Sequence, residues 1–199
     1  MIDYNEICNT KNLFSELLNK IKIKDGELNK VQLTIFFSIL KRLKMENGWE
    51  PSYQYIKQDM GGEPNVYAIN KNGEKDILYN RVITDDTIEG FVQLTFLYLL
   101  HDKFCLFWHA LYKKIEIIIS IKDLLSLPFD DKTLIDLAKI IEIETKINSN
   151  FITLNICTFN NWNGLQKIPF LFNLKYPHNP QIIDDEVKII KKYDNGICY

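Results

Sequence analysis

Three sets of residues in this chain have types and spacings that could do chemistry. His101, Cys105 and His109 look like metal ligands, since imidazole and thiolate both suit zinc. The run FCLFWHA around them reads as a strand. A rise of about 3.3 Å per residue then puts Cys105 and His109 on one face but roughly 13 Å apart, while zinc bonds run only about 2.0–2.3 Å. No metal centre and no cofactor are expected. The second set is a thiol nucleophile, Cys105 or Cys157, with His109 or His178 as base and Asp102 or an Asn orienting the ring. Neither cysteine sits on a small-residue turn, and thiols inside apolar strands are inert. The serine-hydrolase elbow G-x-S-x-G is absent. The third set is Asp184-Asp185-Glu186, which continues as Glu186-Val187-Lys188, an E-x-K of the kind metal-dependent nucleases use. Two more [DE]-x-K triplets, at Asp130 and Glu144, bring the number to what composition alone yields. Asp85-Asp86 and Asp130-Asp131 read as helix caps. Asp184, Asp185 and Glu186 read as solvated turn charge or as a contact for a basic partner.

The aromatics point to recognition. Trp49, Tyr53 and Tyr55 fall in a segment rich in glycine and proline, and Trp162 in an Asn-rich loop, whereas Trp108 reads as core. Large aromatics on loops need cover, either from the chain itself or from a partner protein. Arg42 and Arg81 are the only arginines, so a site gripping phosphate or carboxylate through the bidentate fork has just two residues to use. Neither glycine-rich phosphate-binding pattern occurs. A net charge of -2 offers no field for polyanions or anionic lipid. Nucleic acid and membrane are therefore not expected as partners.

Elements must position these residues. Asn9 or Thr10 is expected to cap a helix over 10–22 with Leu13, Phe14, Leu17, Leu18 and Ile21 as its apolar stripe. Residues 28–45 fit a helix and also alternate like a strand; length and the basic tail favour the helix. Residues 46–65 read as an irregular surface segment. Asn72-Gly73 between β-prone runs predicts a hairpin of 66–69 with 76–79. A helix over 86–101 follows, started by an Asp86/Glu89 capping box, and another over 131–146, capped by Asp130 or Asp131. FCLFWHA and IEIIISI read as central strands; FITLNICTF, IPFLFNLK and EVKIIKKY as later ones, with Asn195-Gly196 as a last turn. Helices and strands come in blocks, which predicts a single α+β domain over 1–199 with a mainly antiparallel sheet and about four helices. The four cysteines, Cys8, Cys105, Cys157 and Cys198, are far apart, and no leader pattern or uninterrupted apolar span is present. Reduced thiols and a cytoplasmic location are expected.

The stretches closest to a signature are FCLFWHALY and KKYDNGICY. In size, composition and layout the chain resembles the small cytosolic α+β immunity proteins of bacterial polymorphic-toxin systems. The resemblance implies a non-enzymatic binding protein that neutralises a toxin domain. Elimination of the catalytic patterns leads to the same expectation, with Trp49, Tyr53, Trp162, Asp184, Asp185 and Glu186 as its binding residues. The alternative is a hydrolase whose cysteine and histidine, or carboxylates and metal, meet only in the fold.

Overall fold

A computed structural model of the chain describes the backbone of residues 2–20, 30–58, 61–100, 115–130 and 137–194. Helices and antiparallel strands form the α+β architecture that the block pattern predicts. Backbone contacts divide the chain into two compact units, 1–111 with 173–180 and 112–172 with 181–199.

The first unit holds helix α1 (Tyr4–Lys20), helix α2 (Lys30–Ile39), strand β1 (Leu43–Met45), strands β2 (Trp49–Gln58), β3 (Gly61–Asn70) and β4 (Lys75–Ile77), a 3-10 turn (Leu78–Arg81), strand β5 (Val82–Thr84) and helix α3 (Ile88–Leu100). Helix α3 is its centre, with α1, β1, β5 and the 3-10 turn packed around it. Phe91, Val92, Gln93, Leu94, Thr95, Phe96 and Leu97 are all buried, so α3 is covered all round and does not show the single apolar face expected of it. Its start also differs from the expected capping box. The Thr87 hydroxyl accepts the Gly90 N–H, and Glu89 instead accepts the Asp3 N–H at 2.7 Å. Asp3 caps α1 by accepting the N–H groups of Asn5 and Glu6, six or seven residues before the expected cap at Asn9 or Thr10. The buried stripe of α1 is accordingly Ile7, Thr10 and Phe14, while Leu13 is exposed and Leu18 and Ile21 lie outside the described side chains. Phe14 meets Phe36 of α2 at 5.1 Å between ring centres.

The 28–45 segment takes both of the forms its pattern allows, in succession. The helix ends at Ile39, and Leu43–Met45 pairs antiparallel with Val82–Thr84. The expected irregular segment 46–65 is instead largely β-structure, β2 paired with β3 over their full lengths. Alternation explains it: Trp49, Pro51 and Tyr53 share the face of the buried Val66 and Ala68, and Glu50, Ser52 and Gln54 point the other way. Residues 59–60 lie outside the described residues. The β3–β4 hairpin forms as predicted, with Tyr67 opposite Ile77. Its turn uses one left-handed residue, Gly73 at φ 82°, while the Asn70 side chain accepts the N–H groups of Asn72 and Glu74.

The second unit contains strand β6 (Glu116–Ile118), helix α4 (Ile121–Leu125), strands β7 (Glu144–Ile147), β8 (Phe151–Asn160), β9 (Gly164–Asn173) and β10 (Gln181–Ile182), a 3-10 turn (Asp184–Glu186) and strand β11 (Lys188–Lys191). Its sheet is built on two long neighbours, β8 and β9. β6 and β7 pair with successive stretches of β8, and β10 and β11 with successive stretches of β9. Three strands expected in the C-terminal third therefore stand. IEIIISI, expected as a central strand, yields only three strand residues at the edge of the described sheet, paired with β8 alone, before Ser120 and Asp123 close a reciprocal capping box and start α4. The expected helix over 131–146 is overturned from 138 onward, where residues 138–141 form a turn and Glu144–Ile147 is β7; residues 131–136, the FCLFWHA strand, Trp108 and the Asn195-Gly196 turn lie outside the described residues. Cys157 and Phe159 of β8, Leu165 of β9, Leu124 of α4 and Ile118 of β6 form one core.

Gly164 and Gly73 both have positive φ, but their surroundings differ. A methyl group on Gly164 would sit 2.2 Å from the Lys191 carbonyl oxygen, whereas one on Gly73 meets nothing within 4 Å. Gly73→Ala should cost about 1 kcal/mol, the left-handed term alone. Gly164→Ala should cost about 3 kcal/mol or more, because backbone must also move. Urea unfolding of the two variants checks this, and equal losses would contradict it.

Candidate functional site

Both arginines are bound inside the first unit. Arg42 follows α2 and grips Glu6 of α1 with Nε and with Nη2, the latter at 2.6 Å to Oε2. Its Nη1 donates to Asp85 Oδ2 at 2.7 Å and to Thr87 Oγ1 at 3.2 Å, and its backbone N–H donates to Gln93 Oε1 at 3.0 Å. Gly90 makes room for this group, since a side chain there would meet Asp85 Oδ1 at 2.4 Å. A shallow depression of about 150 Å³ lies over Arg42, between Lys41, Lys44 and Asp85. Hydrogen bonds to Glu6 and then Asp85 raise the Arg42 pKa further above its ordinary value. Burial opposes ionisation of Asp85, but the Thr87 and Arg42 hydrogen bonds outweigh it and the carboxyl stays below its usual range.

Arg81 closes the second cluster. Its Nε donates to Asp76 Oδ2 at 2.7 Å and its Nη1 to Glu46 Oε2 at 3.0 Å, and the guanidinium stacks over the Trp49 ring at 4.2 Å. The Tyr176 hydroxyl donates to the same Glu46 oxygen at 2.7 Å. That bond and the one from Arg81 hold Glu46 below its ordinary pKa, while burial and the adjacent carboxylate push Tyr176 up to about 12. Asp76 is also lowered, the bonds from Asn80, the Ile77 N–H and Arg81 overcoming its burial. Sequence reasoning missed both clusters. The available signal was scarcity: two arginines in a chain with 26 acidic residues are the strongest carboxylate partners it has.

His178, 2% exposed, is fully engaged too. Its Nε2 lies 3.2 Å from the Thr84 N–H and accepts from it, so Nδ1 carries the proton and donates to the Asn173 carbonyl at 3.0 Å. Neither nitrogen is left to act as a base. Cys157 is buried in the second unit, where its thiol donates to the Ile140 carbonyl at 3.1 Å. Burial pushes its pKa up to about 11, the reverse of an activated thiol. Lys167 Nζ shares that carbonyl at 2.9 Å and pairs with Glu144 at 2.5 Å, and this bond holds Glu144 below its usual pKa. Among the described residues no three His, Cys, Asp or Glu side chains gather as a metal site. His101, Cys105, His109 and Cys198 lie outside those residues.

The expected binding residues divide between the units. Trp49 and Tyr53 belong to the first, on the inward face of β2 and half-buried, not on a loop; the Tyr55 side chain lies outside the description. Trp162, 45% exposed, tips the β8–β9 turn, where Asn160 Oδ1 accepts its N–H at 2.9 Å. Asp184, Asp185 and Glu186 are exposed on the 3-10 turn between β10 and β11. That turn lies beside Pro169, whose carbonyl accepts the Ile183 N–H, so the register separates it from Trp162 by about 20 Å of strand.

Stability should fall at both ends of the pH scale. Glu46, Asp76, Asp85 and Glu144 titrate below the ordinary 4.5 and 3.8, so their contribution is complete above those values and is lost as pH falls through the lower folded ones. Cys157 and Tyr176 are raised from 9.0 and 10.0 to about 11 and about 12, so theirs is complete below the lower pair and lost as pH rises toward the higher. Thermal midpoints across pH should show a plateau at about pH 5–8 with losses on both sides. Peptide mapping after alkylation should find Cys157 unmodified until the protein unfolds; rapid native labelling would restore the thiol-enzyme reading.

Comparison with known family models, curated proteins and solved structures finds no match to this chain.

Proposed function

We propose that this chain is a non-enzymatic protein-binding module, an immunity protein that neutralises a basic toxin domain in the bacterial cytoplasm. The observation that carries this reading is a contrast among its acids. Glu6, Glu46, Asp76, Asp85 and Glu144 each hold a cation. Asp184, Asp185 and Glu186 are exposed, and among the described residues no hydrogen bond or ion pair engages their carboxylates. Three adjacent uncommitted charges contribute little to folding, and they suit steering toward a lysine- or arginine-rich surface. Trp162 on the same unit supplies an aromatic anchor, whereas Trp49 and Tyr53, expected to join it, face inward on the other unit, Trp49 beneath the Arg81 guanidinium.

The test is co-expression with the toxic domain of a neighbouring secreted protein, followed by binding kinetics on the purified pair. Reversing residues 184–186 to lysine should slow association about tenfold and weaken its salt dependence. Trp162→Ala should cost about 1–2 kcal/mol, chiefly in faster dissociation. Cell death unaffected by this chain would end the neutralisation reading, and tight binding after charge reversal would remove the acidic contact.

A further inference from the structure

The described residues include three Asn-Gly steps, each at a turn: Asn47-Gly48, Asn72-Gly73 and Asn163-Gly164. An Asn followed by Gly can lose its side-chain amide without an enzyme, because the next backbone nitrogen reaches the carboxamide carbon and no side chain on the glycine blocks it. Structure decides which step is free to react. Gly73 N–H donates to the Asn70 carbonyl at 3.0 Å, and Asn72 N–H to Asn70 Oδ1 at 2.9 Å, so attack at Asn72 must first open the hairpin turn. Gly164 begins β9, is buried, and lies against Lys191 and Tyr193 backbone. Asn47 and Gly48 are both exposed, and among the described residues no hydrogen bond engages the Asn47 carboxamide or the Gly48 N–H. Nothing lies within 4 Å of where a Gly48 side chain would be.

The geometry points to Asn47 as a site of spontaneous deamidation that times a change in the Glu46–Arg81–Trp49 cluster. The Gly48 nitrogen, giving its proton to solvent base, forms a bond to Asn47 Cγ; the carbon–nitrogen bond to the side-chain amide breaks and ammonia leaves. Water then opens the resulting cyclic imide at either carbonyl. One product is aspartate, and the other is isoaspartate, whose main chain runs through the former side chain and is one carbon longer. No electrons are exchanged, and each product adds one negative charge. The added carbon falls inside the turn closed by the Trp49 N–H on the Glu46 carbonyl at 3.0 Å. Glu46 holds Arg81 and Tyr176, and Arg81 covers Trp49, so lengthening this turn displaces a shared anchor.

The folded protein is aged in mildly alkaline buffer at body temperature and mapped by mass spectrometry for the gain of a single dalton. Asn47 should convert about fivefold faster than Asn72, the ratio that the net worth of one backbone hydrogen bond sets, and faster than Asn163, whose Gly164 is buried. In concentrated urea the three rates should converge, since the difference belongs to the fold. Asn47→Gln should abolish the earliest product while leaving the other two rates unchanged. Faster conversion at Asn72 or Asn163 in the folded protein, or an Asn47 preference that persists in urea, would overturn the assignment.

Discussion

The guanidinium of Arg42 is the constraint on which the first unit rests. It stands where α2 gives way to β1 and reaches three other places in the chain: Glu6 in α1, Asp85 before α3, and, through its backbone, Gln93 within α3. A planar fork with fixed donors demands that its acceptors arrive in register, so the helices cannot slide independently past one another. Around it the apolar packing of Phe14, Phe36, Phe91 and Phe96 supplies most of the driving force. The ion pairs supply direction more than energy, since each is partly solvated.

The same economy governs what the surface can offer. With Arg42 and Arg81 committed to carboxylates, no bidentate cation remains for a phosphate or carboxylate ligand. The described histidine and the buried cysteine are likewise occupied, one between a backbone donor and a backbone acceptor, the other on a carbonyl. Asp184, Asp185 and Glu186 stay without a bonded partner among the described residues, as do several lysines, Lys188 beside them included.

Much of this architecture is legible in the residues. Strands β8, β9 and β11 announce themselves by β-branched and aromatic runs between turn residues, and the Asn-Gly hairpin by its glycine. The misreadings have definite causes. Pro51 and the paired glycines at 61–62 disguise β2 and β3 as loop, although Trp49, Pro51 and Tyr53 already alternate with Glu50, Ser52 and Gln54. Helix α4 is too short for periodicity to reveal, and only Ser120 with Asp123 marks it. Long-range ion pairs were least accessible, because spacing along a chain says nothing about which carboxylate meets an arginine 35 residues away. Of the candidate site, exposure of the 184–186 acids could be anticipated from their run of charge, but the inward placement of Trp49 depends on strand register.

The sheet of the second unit is flanked on each side by two short strands set end to end, β6 and β7 along β8, β10 and β11 along β9. None of these outer strands exceeds four residues, and β11 carries a bulge between Ile189 and Lys191 together with two lysines. A strand arriving from a neighbouring molecule would find only a few ladder positions before the edge breaks off or turns away. The long, apolar β8–β9 pair, which alone would be a ready template for cross-β growth, is thereby bordered, among the described residues, by strands too short and interrupted to propagate it. Among the described strands, the way this sheet ends thus works against edge-to-edge growth.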